Sequence, residues 1–88
     1  MAGFLGMDIE AVQALSQMMN TKADEIQQIM GQLTNSLQGA QWVGTDRERF
    51  LSDWQGTHVQ HLSTVVQGLH DAAQKAAQNA QEQSSTSA

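Results

Sequence analysis

Gly39-Ala40-Gln41-Trp42-Val43-Gly44-Thr45-Asp46-Arg47-Glu48 is the stretch in this 88-residue chain where a helical pattern stops and another starts. Glycine is the residue a chain uses where φ must be positive or where backbones approach closely. Thr45-Asp46-Arg47-Glu48 then has the form of a capping box, with Thr45 as N-cap and Glu48 reaching back to it. Asp46 and Glu48 place negative charge at the positive end of the new helix dipole. A second helix is therefore expected from about residue 46. A connection this short folds two long neighbouring helices into an antiparallel hairpin.

Upstream, Asp8 is placed as an N-cap, with Met7 before it and Val12 after it spaced for a hydrophobic staple. Val12, Leu15, Met19, Lys22, Ile26, Ile29, Leu33, Ser36 and Ala40 follow at alternating spacings of three and four. Most are apolar, as on one face of a long helix over about 8–40. Ile9, Met18, Met30 and Leu37 widen that stripe. Residues 1–7 read as a loose lead-in. Downstream, Phe50, Leu51, Trp54, His58, His61, Leu62, Val65, Leu69, Ala72, Ala73 and Ala76 share one face of a helix over about 46–80. Gly56 and Gly68 interrupt it, either as soft points or where a partner helix comes close. Gln83-Ser84-Ser85-Thr86-Ser87-Ala88 has the composition of a disordered tail, expected over 81–88.

These apolar stripes are wider than a two-helix seam can cover. The expected fold is thus all-α: a two-helix hairpin that dimerises into a four-helix bundle with an enclosed core. Phe50, Trp54, His58, His61, Val65 and Leu69 on the second helix would join Val12, Leu15, Met19, Ile26, Ile29 and Leu33 on the first at the interfaces.

Composition removes several classes of function. No cysteine is present to form a disulfide or a thiolate metal site. Nine acidic residues against four basic ones give a net charge of −5, a poor match to a nucleic-acid backbone. The start lacks the cationic and apolar regions of a cleavable signal peptide. No run reaches the roughly 18 apolar residues of a membrane span. His58 and His61 lie three apart on one face, but with no cysteine and no nearby Glu they point to a helix interface rather than a metal. If buried there, their protonation would bring like charges together. His70 and Asp71, adjacent in sequence, diverge on a helix and form no dyad. With no nucleophile elbow and no phosphate loop, neither an enzyme nor a cofactor site is expected.

Trp42, Phe50 and Trp54 are three of the four aromatic residues, and all lie near the turn. Such a cluster can close the end of a bundle or offer a docking knob. At Trp42-Val43-Gly44 the chain resembles the WXG family, the early-secreted-antigen-like substrates of bacterial type VII secretion. Leu37 before the turn and Phe50 and Trp54 after it stand in the phase of that family, and the likeness spans about 8–80. The resemblance implies a hairpin that pairs with itself or a sister protein and is exported by a membrane secretion ATPase. It also implies that Trp42 and Gly44 form part of an export signal shared with a partner's C-terminal segment. The family's Tyr-x-x-x-Asp/Glu tail motif is missing, because the chain has no tyrosine. Either a partner subunit supplies that signal, or this branch uses another one, or the chain is not exported by that route; secretion without a cleavable signal peptide is what the resemblance implies. A membrane-active effector and an unexported cytosolic helical partner are the alternatives. The Gln-rich, acidic polar faces argue against the first.

Overall fold

Asp8 halts the chain in an extended conformation, and its carboxylate accepts a hydrogen bond from the Ala11 N–H at 3.1 Å. That bond satisfies one of the free donors of a first helical turn. Helix α1 then runs unbroken over Ile9–Gly39. The computed structural model describes residues 6–87, and among them the regular structure is entirely helical. Ala40 is extended and ends α1, and Gly44 turns the chain at φ 121° and ψ −177°. Helix α2 covers Thr45–Asp53 and helix α3 Val59–Ser87, joined through a π-helical turn at Trp54–His58. α2, the π turn and α3 form one continuous second arm, antiparallel to α1. The result is a rod of 65 × 17 × 14 Å with a radius of gyration of 19.5 Å. A compact globule of this length would have a radius of gyration of about 12 Å.

The seam between the arms follows a seven-residue repeat of small or slender side chains. Ser16, Ala23 and Met30 are buried along α1; Val66, Ala73 and Ala80 are buried along α3. Ala23, Ala73 and Ala80 expose no surface at all. Residues this small let the two backbones come close. The Ser16 hydroxyl donates to the Ala73 carbonyl at 2.7 Å, a buried bond from one arm to the other. Ile26, Val59, Leu62 and Leu69 pack around the Ala23–Met30–Val66 cluster. A repeat of seven, slightly under two α-helical turns, is that of helices wound as a coiled coil.

The structure departs from the sequence expectation in three places along the seam, the turn and the tail, and in a fourth at the histidines of the second arm. The seam is rotated from the α1 stripe read off the sequence: Val12, Met19 and Ile26 are half-buried, but Leu15, Ile29 and Leu33 are exposed. Apolar residues fill two adjoining arcs of α1, and the small Ser16 and Ala23 select which arc lets the arms close. The expected capping box at Thr45 does not form; Thr45 is already helical, and Gly44 is the N-cap with no side-chain bond. The backbone supplies the first turn there, with the Glu48 N–H donating to the Gly44 carbonyl at 3.2 Å. Finally, the second arm is helical through Ser87, where a disordered tail was expected from 81. Ala80 carries the seven-residue repeat to the far end, opposite the start of α1. Gln83 beyond it is half-buried, its amide 3.8 Å from where a Cβ on Gly6 would stand. The lead-in expected over 1–7 lies outside the described residues except for Gly6 and Met7, which precede the helix.

Candidate functional site

The chemistry-bearing side chains gather at the tip of the hairpin. The Trp42 N–H donates to the Ala40 carbonyl at 2.9 Å, a tight bend that brings the indole back toward α2. Trp42 and Phe50 then meet with ring centres 5.5 Å apart and planes tilted by 56°. Such tilted contacts suit the opposed charges of ring face and ring edge. Val43, beside Trp42, is 93% exposed and makes the apex of the turn. The positive φ of Gly44 lies in a region that only glycine occupies without strain. Trp54 is half-buried, and its indole Nε1–H donates to the Thr34 hydroxyl at 2.8 Å, tying the second arm to α1 just below the tip. Leu33, Ser36, Leu37, Phe50 and Trp54 enclose an open groove of about 340 Å³ whose walls are almost wholly apolar.

From the tip, the two long sides of the rod differ sharply. On one side Asn20 and His70 meet across the seam, His70 Nδ1 lying 2.8 Å from Asn20 Oδ1. His70 Nε2 lies 3.6 Å from Asp24 Oδ1. Asn20 and His70 each come four residues after a buried seam position, Ser16 and Val66. In an antiparallel pair those positions face one another. The positions just before each seam residue therefore meet on the opposite side. There stand Leu15, Lys22 and Ile29 on α1 and Val65, Ala72 and Asn79 on α3, all exposed, with Leu15, Ile29 and Val65 showing 45%, 51% and 50% of their surfaces. Met18, Leu33 and Phe50 are exposed as well. One flank is joined by polar contacts; the other is open and largely apolar, crossed at its middle by the exposed Lys22–Glu25 pair.

The π turn explains where the histidines went. On an uninterrupted α-helix, the stripe of Leu51 and Trp54 would continue through His58 and His61. Here the Val59 N–H donates to the Trp54 carbonyl, five residues back, and the turn holds one extra residue. The inward face passes from Trp54 to Val59 and Leu62, and His58 and His61 are exposed. Within the hairpin, then, neither ring is buried. His58 keeps a tilted contact with the Trp54 ring at 6.2 Å. Gly56 sits inside the π turn, and the space around both Gly56 and Gly68 is open. Neither glycine is a point of close approach between the arms.

Of the residues expected at interfaces, Val12, Met19, Ile26, Trp54 and Leu69 turn half-buried toward the other arm. Leu15, Ile29, Leu33, Phe50, His58, His61 and Val65 are exposed. Sequence reasoning missed Ser16, Thr34 and the Asn20–His70 contact. The first was signalled by small residues every seven positions; the other two were not, because polar side chains follow no such repeat. His70 turns away from Asp71, which pairs instead with Gln67 through a 3.0 Å bond. Among the described residues no three His, Cys, Asp or Glu side chains gather as metal ligands would, and no helix is long and apolar enough to cross a membrane. No protein-family model, curated protein or solved structure matches the chain.

Proposed function

We propose that this chain is a WXG-like secretion substrate or co-secreted adaptor, which dimerises into a four-helix bundle and presents its turn and C-terminal arm to a type VII export machine. The observation that carries this reading is the open apolar flank continuous with an exposed Trp-Val-Gly tip. A side of a rod lined by Leu15, Met18, Ile29, Leu33 and Val65 is stable in water when another helical pair covers it. The partner is a second copy or a sister hairpin. Trp42, 37% exposed and steadied by Phe50, is held at the tip by a turn that requires glycine at 44. That arrangement suits a recognition knob for a secretion ATPase. A sister hairpin would supply the tyrosine-bearing tail half of the family's export signal, whereas a dimer of identical chains, which have no tyrosine, relies on another signal.

Export is the deciding measurement. The protein should be recovered from the medium of its own host without markers of lysis. Trp42→Ala should abolish most of that export while helicity and association stay near those of the parent. Gly44→Val should lower export as well, and should cost roughly 1–3 kcal/mol in stability because valine resists the backbone angles found there. Retention of the parent in the cell, with the secretion system intact, would reject the reading. So would loss of the helical fold in Trp42→Ala, since the indole would then be holding the tip together.

A further inference from the structure

The outward stripe of α1 is its own reverse. Leu15, Met18, Lys22, Glu25, Ile29 and Leu33 follow one another at spacings of three or four along the open flank, with the charged pair in the middle. Reversed about a point between Ala23 and Asp24, Met18 falls on Ile29, Lys22 on Glu25, and Leu15 beside Leu33. Lys22 and Glu25 already touch within the chain, Nζ to Oε2 at 3.2 Å, and both remain well exposed, at 59% and 49%. Each therefore has capacity for a second partner. Lysine carries three donors and a carboxylate accepts several.

Resting on the dimer reading above, we infer that the apolar flank is covered by a second copy of this same chain, with the α1 helices antiparallel about a two-fold axis between Ala23 and Asp24. Two reciprocal Lys22–Glu25 pairs across that axis set the register. An isologous contact requires a patch that complements itself, residue i meeting j while j meets i, and this stripe does so in both hydropathy and charge. The surface available is sufficient. The chain exposes 6534 Å², against about 5,100 Å² for a globular protein of its mass. That excess is larger than the roughly 800 Å² each partner contributes to a standard interface. Apolar pairs supply the attraction, and the charges select one alignment over a slipped or parallel one.

Charge reversal tests the register, read by sedimentation of the full-length chain at low salt. Lys22→Glu alone sets four carboxylates around the axis, and Glu25→Lys alone sets four ammonium groups there. Each single variant should dissociate about tenfold more readily than the parent. Mixed one to one, the two variants should form a heterodimer as tight as the parent dimer, because every cross-axis pair is again opposite in sign. The mixture does not restore the pair within either chain, so its recovery reports on contact between chains. The Lys22→Glu/Glu25→Lys double variant should likewise regain the parent's self-association. If the parent dimerises but the mixture gains nothing over the separate variants, the register is overturned and the dimer reading stands. A parent that stays monomeric overturns the pairing with a second copy altogether and leaves the flank to the sister hairpin of the dimer reading.

Discussion

The two flanks of this hairpin flank the same seam and belong to the same two helices, yet one is finished and the other is not. On the polar flank, the Asn20 and His70 side chains meet across the arms at 2.8 Å, with Asp24 Oδ1 3.6 Å from the other ring nitrogen. On the apolar flank, Leu15, Met18, Ile29, Leu33 and Val65 stand about half exposed on either side of the Lys22–Glu25 pair. The first contributes hydrogen bonds that lose much of their worth to competing water. The second keeps its free energy in reserve until apolar area is removed from water. In a rod with so narrow a seam, the polar flank steers how the arms lie together, and the apolar flank decides what the rod joins.

Three variants would break or sharpen this contrast. The largest effect is expected at the seam the flanks share. Ala23→Leu puts a branched side chain where no surface is exposed, against Met30 and Val66. Forcing the arms apart there should cost about 3 kcal/mol, the upper end for an overpacked site. Thermal unfolding followed by circular dichroism should show the melting point fall steeply, and both flanks should lose their definition together. Next comes the apolar flank. Ile29→Gln with Leu33→Gln should leave the helicity of dilute protein unchanged while weakening self-association on the order of 100-fold. Sedimentation across a concentration series checks it; unchanged association would mean that this strip is not the joining surface. The smallest effect belongs to the polar flank. His70→Ala removes the Asn20 contact and should cost about 0.5–1.5 kcal/mol of hairpin stability with no change in association beyond that loss. A melting curve beside the same concentration series separates the two quantities.

Particular residues show how far the sequence could be read. Asp8 announced the start of α1 because a cap acts through bonds to its own neighbours, and that bond is present. Trp42-Val43-Gly44 announced the reversal for the same local reason. Thr45 was misread, since a glycine at φ 121° lets the helix begin one residue earlier than a threonine cap would. His58 and His61 were placed on the inward face because spacings of three and four presume an unbroken α-helix. One π turn with a hydrogen bond five residues long moved that face to Val59 and Leu62. The Ser-rich end was expected to be loose from its composition, which could not show that Ala80 and Gln83 would lie opposite the start of α1.

The sequence by itself determined that the chain is helical, where it turns back, and that its apolar surface exceeds one helix-to-helix contact. Those properties follow from capping, from glycine, and from hydrophobic spacing along the chain, all of which act over a few residues. Only the tertiary structure decided which of two adjoining apolar arcs closes the hairpin and which is left outward. That choice depends on how near two backbones can come. Ser16, Ala23, Ala73 and Ala80 are small enough to allow the approach; Leu15, Ile29 and Leu33 are not, so their side of the rod remains open.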